Sequence, residues 1–188
     1  MRSSLSTRYI AVLGALLALS LGLAVVESML GALVPIPIPG VKLGLANIIS
    51  MFILAYFSLP AALSVGVLRT LLASLFSGGL SMFLYSAPGA VFSILFMAAA
   101  MRLIKPLSLV GISMIGACVH NLSQVCVAVL ITGEVHLFYY AFILIAVGAV
   151  SGAITGIVAS TTFTRAAGAL RLSKRTSHAP LTNQGGIL

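Results

Sequence analysis

Long apolar stretches, separated by short segments that carry proline, glycine or charge, make up most of the chain. Most of these stretches have about the 20 residues that an α-helix needs to cross the hydrocarbon core of a bilayer. The pattern therefore predicts an all-α, polytopic membrane bundle of about six transmembrane helices. The predicted spans are residues 9–30, 43–58, 60–76, 84–103, 108–131 and 138–161.

Proline marks three of the predicted boundaries. The segment 34–42 has three prolines at alternate positions, which cannot continue a helix and favour a stiff, extended loop. Pro60 closes the second span, and Pro106 ends a short basic loop. Beyond the last span the chain becomes polar and basic, so we expect a transmembrane domain over 1–162 and a disordered cytoplasmic tail over 163–188.

The composition agrees with a chain that is solvated by lipid. Of the 188 residues, 61% are hydrophobic and 6% are charged, whereas a soluble domain carries about 25% charged residues. The net charge of +8 does not indicate nucleic-acid binding, because most of the basic residues lie at the chain ends and in a short loop.

The positions of the basic residues predict the orientation of the bundle. With six spans and a cytoplasmic N-terminus, most of the Lys and Arg residues fall on the cytoplasmic side, as the positive-inside rule requires. We therefore expect both termini in the cytoplasm and a location in the cytoplasmic (inner) membrane of a prokaryote. The basic residues on that side are Arg2, Arg8, Arg102, Lys105, Arg165, Arg171, Lys174 and Arg175.

Arg69 and Glu27 are charged residues within predicted spans. Arg69 lies about nine residues into its span, near the bilayer midplane, where an arginine costs about 2.5–3.5 kcal/mol on insertion scales. Glu27 lies near the far end of the first span and is one of two acidic residues in the chain. A fixed Glu27–Arg69 pair that orders the bundle and an Arg69 that faces a ligand are both open at this point.

Further polar side chains fall from the midplane outward. His120 and Gln124 share one face of the fifth span, Asn121 flanks them, and Asn47 opens the second span. This placement predicts a cavity that opens to the outside beneath the Pro-rich loop. The candidate substrate-binding residues are Glu27, Lys42, Asn47, Arg69, His120, Asn121 and Gln124.

Small residues recur at helical spacing on two spans. Ala11 and Ala15 form an AxxxA pair on the first span, and Gly148, Gly152 and Gly156 form a GxxxGxxxG face on the sixth. Such faces permit close approach of two helix backbones. Packing within the bundle and docking of a partner helix are both consistent with the pattern.

Several kinds of chemistry have no residues to perform them. The chain has no P-loop motif, and it has no aspartate from which an Asp-rich magnesium site could be built. The three histidines are far apart, and Cys118 and Cys126 lie in one apolar span as inert thiols. We therefore expect no metal, no cofactor and no catalysis by this chain alone.

Three sequence motifs carry a resemblance to a known family. They are Pro-Gly-Val-Lys-Leu-Gly-Leu-Ala-Asn at 39–47, Leu-Arg-Thr at 68–70, and His-Asn-Leu-Ser-Gln at 120–124. Together they resemble the Gx transporter family, which is also described as heptaprenyl diphosphate synthase component I. The likeness covers about residues 9–162.

This family is similar to the substrate-binding S components of energy-coupling factor (ECF) transporters. The resemblance implies six helices, cytoplasmic termini, and a vitamin-like solute bound from outside beneath the loop between the first two helices. It also implies an ATPase pair and a transmembrane T subunit as partners, with Ala11 and Ala15 at the T-subunit contact. The leading hypothesis is a solute-binding subunit for uptake of a vitamin or cofactor precursor.

The synthase name of the family implies a different class of function. The absence of aspartate argues against a catalytic role, which leaves a non-catalytic membrane adaptor for heptaprenyl diphosphate and menaquinone synthesis, or for flavin-linked extracellular electron transfer. A proton-driven carrier is a third hypothesis, and it would require Glu27 to titrate during transport. The substrate itself stays open.

Overall fold

The structure is a computed structural model that describes residues 7–33, 44–77, 79–104 and 107–169. These residues form six α-helices and one short 3₁₀ helix (Val135–Leu137), with no strand among them, which confirms the predicted fold class. The helices are α1 (Thr7–Leu33), α2 (Asn47–Tyr56), α3 (Leu59–Ser77), α4 (Leu80–Leu103), α5 (Leu109–Thr132) and α6 (Phe138–Ala169).

The bundle is apolar outside and partly polar inside, the reverse of a water-soluble protein. Leu130 and Phe142 are 83% and 79% exposed, whereas Ser93 and Thr155 are buried. Five helices in the described part of the chain (all but α2) are long and apolar enough to cross a membrane. This distribution indicates that hydrocarbon surrounds the bundle.

Helix α2 is shorter than the predicted second span and only about half as long as a membrane crossing requires. It has 10 residues, or about 15 Å, against a hydrocarbon core of about 30 Å. It ends at Phe57, whose backbone N–H donates to the carbonyl of Ile53 at 2.8 Å. Among the described residues, the helical part of the span predicted over 43–58 is therefore 47–56, and α2 begins near the middle of the membrane.

Serine caps explain where two of the helices begin. The hydroxyl of Ser58 accepts from the backbone N–H of Ala61 at 3.3 Å, so that α3 starts one residue after the turn at Phe57 and Ser58. Pro60 lies in the first helical turn, where a missing N–H is tolerated. The hydroxyl of Ser108 accepts from Gly111 in the same way at the start of α5.

Aromatic contacts identify one end of the bundle. The ring of Tyr9 packs against that of Phe57 at 5.5 Å between centroids, and Phe52 packs against Phe163 at 5.0 Å. The start of α1, the α2–α3 turn and the last part of α6 therefore lie together. We call this the basic end, because Arg102 closes α4 there, and the opposite end, with the turns at Gly79 and Gly133, the glycine end.

The main hydrophobic core fills the half of the bundle nearest the basic end. It joins buried residues of all six helices, and the partly buried Tyr9, Met101 and Leu109 pack against it. The buried members are Leu16, Ile49, Met51, Phe52, Ile53, Phe57, Ala61, Ala62, Val65, Ile94, Met97, Ile112, Ala159 and Phe163.

The glycines of α6 lie directly against the backbone of α5. A Cβ built on Gly152 would stand 2.6 Å from the Cα of Met114, and one on Gly156 would stand 2.5 Å from the Cα of Val110. Gly148 faces Ala117 and Asn121 in the same way. The structure thus places this face inside the bundle, where only glycine permits the approach.

Helix α1 presents its small residues to the outside. It packs against α2 and α3, whereas Ala11 and Ala15 are exposed. A Cβ on Gly14 or Gly22 would meet no atom within 4 Å.

Helix α6 passes through the domain boundary predicted at residue 162. It continues to Ala169, and Phe163 is 3% exposed. Residues 170–188 of the predicted tail lie outside the described part of the chain, as do the Pro-rich segment 34–43 and Lys42.

Candidate functional site

Besides the buried hydroxyl of Thr70, four buried polar side chains from four helices surround one small cavity in the described part of the chain. They are Glu27 on α1, Asn47 on α2, Arg69 on α3 and His120 on α5, each less than a tenth exposed. The sequence predicted these four as site residues, and the structure brings them together. The rest of the lining consists of Ala24, Gly44, Ala46, Thr70 and Ala73.

The cavity lies near half depth in the membrane. Asn47 and Arg69 are each about ten residues, or about 15 Å, from the α2–α3 turn at the basic end. His120 is about 16 Å along α5 from its start at that end. An arginine at this depth is expensive unless it meets an anion or a wet cavity, so a specific role for Arg69 is the default expectation.

The carboxylate of Glu27 ties α1 to the start of α2. Its Oε1 accepts a hydrogen bond from the backbone N–H of Gly44. Gly44 has a φ of +81°, a conformation that glycine adopts without strain. Its carbonyl accepts from the N–H of Asn47 at 2.9 Å and so begins the turn that leads into α2.

Arg69 keeps hydrogen-bonding capacity toward the cavity. It is 4% exposed, and its Nη1 has no hydrogen-bond partner among the described residues. Electrostatic attraction links its guanidinium to Glu27. A buried donor that is left unsatisfied costs about 1–3 kcal/mol, more for a charged group. A ligand atom that accepts a hydrogen bond from Nη1 would remove this cost.

Glycine makes room for His120 between α4 and α5. A Cβ on Gly89 would stand 3.1 Å from Cε1 of the imidazole. Closer to the basic end, Gly116 of α5 packs against Met97 of α4, and a Cβ on Gly116 would stand 2.6 Å from Sδ of Met97. The close α4–α5 contact therefore fixes the ring of His120 at the cavity wall.

The structure separates Asn121 and Gln124 from the cavity. Asn121 is 2% exposed, and its Nδ2 donates to the carbonyl of Leu144 on α6 at 2.9 Å. Successive helical residues point about 100° apart, so Asn121 faces α6 while His120 faces the cavity. Gln124 is half-buried one turn closer to the glycine end, outside the lining. Lys42 lies outside the described residues.

Sequence reasoning missed the small residues of the lining. Ala24 lies three residues before Glu27, and Ala73 lies four residues after Arg69, so both share a helix face with a predicted site residue. Helical spacing could have identified them. Thr70 gives no such signal, and its hydroxyl donates to the carbonyl of Val67 at 2.8 Å.

The cavity is suited to binding and offers few groups for reaction chemistry. Its volume is about 20 Å³, room for about one water molecule. Within the described residues, no group of three or more His, Cys, Asp or Glu could hold a metal ion. Both cysteines are free thiols, and Cys118 donates to the carbonyl of Ile145 on α6.

Comparison with known families assigns the chain. The family model for heptaprenyl diphosphate synthase component I matches residues 16–162. The chain belongs to this family. No curated protein and no solved structure matches it. The family match includes every residue of the cavity lining, and it begins just after Ala15. The family resemblance drawn from the three motifs is thereby confirmed.

Proposed function

We propose that this chain is a non-catalytic membrane subunit that binds a small polar or anionic solute at the midplane cavity. One observation carries the proposal: Glu27, Arg69 and His120 come from three different helices and are buried around one cavity. Ionisable side chains at this depth are costly to insert, and they mark ligand or ion sites in membrane proteins.

The proposal extends to uptake across the cytoplasmic membrane of a prokaryote, with both termini in the cytoplasm. The main apolar core lies between the cavity and the basic end, so a route that avoids this core leads to the glycine end. The positive-inside rule assigns the basic end to the cytoplasm. The solute would therefore enter from outside.

A separate energising module is part of the proposal. Exposed small residues on α1, among them Ala11 and Ala15, would receive a transmembrane T subunit that works with an ATPase pair. Such a division of labour agrees with a chain that has no P-loop of its own.

The cavity must widen before a solute of vitamin size can bind. A volume of about 20 Å³ is far below the several hundred Å³ of ordinary small-molecule sites. The turn at Gly44 is suited to such a change, because it directly follows the Pro-rich segment predicted to cap the site. A shift of the turn at Gly44 would break the hydrogen bond between Gly44 and Glu27.

The family description favours a second candidate function. A component I of heptaprenyl diphosphate synthase would be a membrane adaptor that holds a separate catalytic component at the bilayer. In that case the exposed face of α1 would contact the synthase partner, and the polar cavity would order the bundle.

Purification from the native host in a mild detergent tests both candidates. Mass spectrometry would identify every small molecule and protein that the chain retains. A retained polar solute, with an ATPase pair and a T subunit, supports the solute-binding subunit. A prenyl synthase or a set of redox proteins without any retained solute would overturn it in favour of the adaptor. Arg69→Ala, compared with the exposed Arg102→Ala as a matched control, should lose the solute but keep the protein partners.

A further inference from the structure

Helix α2 begins inside the membrane and directs its N-terminus at the cavity. Its N-cap residue Ala46 and its first residue Asn47 belong to the lining, and among the described residues no side-chain hydrogen bond caps the helix. The N-terminus of an α-helix carries roughly half a positive charge, which favours anions; in α2 the N–H groups of Asn47 and Ile48 donate to the carbonyls of Gly44 and Leu45, so the attraction is that of the helix dipole. In low-dielectric surroundings this attraction is stronger than at a protein surface.

A second positive group converges on the same point from α3. The guanidinium of Arg69 is buried at the cavity wall, and its Nη1 has no hydrogen-bond partner among the described residues. A guanidinium and a helix N-terminus that face one space form a site for a planar or tetrahedral oxyanion.

One anion is already at this site, and it belongs to the chain. The carboxylate of Glu27 accepts from the N–H of Gly44 just before α2, and it attracts Arg69. The remaining space of about 20 Å³ holds about one water molecule. A carboxylate or phosphate group is larger than that, so it fits only where the Glu27 carboxylate now lies.

We propose that the N-terminus of α2 and Arg69 form an intramembrane anion site, occupied at rest by Glu27, which the carboxylate or phosphate group of the solute displaces. The proposal rests on the proposed function insofar as the solute enters this cavity. It assigns Glu27 the role of an internal competitor, whose negative charge attracts Arg69 when no solute is bound. It also gives the solute class: a small molecule that bears a carboxylate or phosphate group.

Chemical rescue in detergent solution tests this assignment. Thermal unfolding would be measured for the wild type, Glu27→Ala, Glu27→Gln and the double variant Glu27→Ala/Arg69→Ala. Each would be titrated with sodium acetate or sodium phosphate, and with sodium chloride at equal ionic strength. Acetate probes a carboxylate ligand, and phosphate probes a phosphate ligand.

The proposal predicts a response that depends on both residues. Acetate, phosphate or both should raise the Tm of Glu27→Ala by roughly 3 °C or more above the chloride control. The wild type should respond less, because its own carboxylate competes, and the double variant should not respond. No rise for Glu27→Ala, or an equal rise in the double variant, would overturn the proposal.

If Glu27→Ala does not fold, Glu27→Gln tests the anion site instead. The amide keeps the size of the side chain and an oxygen for the N–H of Gly44, but it lacks the charge that holds Arg69. Its Tm should rise with acetate or phosphate more than that of the wild type, and the absence of any rise would refute the anion site. If neither anion raises the Tm but the purified wild type retains a solute, the anion site is refuted and the proposed function stands. If an anion raises the Tm but no solute is retained, the anion site stands and the proposed function is refuted.

Discussion

Replacing Gly152 by alanine should separate α5 from α6. The new Cβ would stand 2.6 Å from the Cα of Met114 and 2.9 Å from the carbonyl oxygen of Ser113. Both are backbone atoms that no rotamer change can move, so one helix must shift against the other. This shift would also displace His120 at the cavity, because His120 lies on α5.

The size of the effect follows from two opposing terms. Overpacking of this kind costs about 1–3 kcal/mol, while the change from glycine to alanine in a helix interior gains about 1 kcal/mol. Gly22→Ala on α1 isolates the second term, because a Cβ there meets no atom within 4 Å. The difference between the two variants is therefore the overpacking term, roughly 2 kcal/mol, or about 4–8 °C in Tm.

Thermal unfolding in one detergent at one concentration, followed by circular dichroism, measures this difference. Gly22→Ala should unfold at or slightly above the wild-type temperature, and Gly152→Ala should unfold clearly below Gly22→Ala. Equal Tm values for the two variants would refute the close α5–α6 contact and the assignment of the glycine face to the interior of the bundle.

Three more tests address separate parts of the structure. Gly44→Ala and Gly79→Ala both force alanine into a positive φ at a cost of about 1–2 kcal/mol, so both should lower the Tm. Only the change at Gly44 should weaken solute retention in mass spectrometry. Asn121→Leu should lower the Tm by removing the hydrogen bond from Asn121 to the Leu144 carbonyl, worth about 0.5–1.5 kcal/mol, and a parallel loss of solute would place Asn121 in the site after all. Phe163→Ala should lower the free energy of unfolding by about 3–5 kcal/mol, and Phe142→Ala, at an exposed position, should lower it much less. Equal losses in thermal unfolding would contradict the packing of α6 beyond residue 162.

The number and order of the helices followed from hydropathy because a backbone in lipid must satisfy its own hydrogen bonds. The length of α2 did not follow from it. The stretch 43–58 is as apolar as a full span, and nothing in its hydrophobicity distinguishes a half-length helix buried among neighbours from a full one. The continuation of α6 was missed for a related reason, since the polar residues after 159 suggested a boundary while Phe163 still packs into the core.

Most of the site could be predicted because charge in hydrocarbon is rare and costly. Glu27 and Arg69 were identified by that argument and His120 by its place among the polar residues from the midplane outward, and the structure brings the three together. Asn121 could not be assigned in this way. Its neighbour His120 differs from it by one residue and about 100° of rotation, and only the packing of α4 and α6 on either side of α5 decides which of the two faces the cavity.

The central claim is that Arg69 holds an anionic solute at the midplane, and native mass spectrometry of the intact protein tests it most directly. The wild type and the control Arg102→Gln, released from the membrane of the native host, should carry the same small anionic molecule. Arg69→Gln, with its helix content unchanged, should carry much less of it. An Arg69→Gln protein that retains the same molecule at the same occupancy would contradict the account.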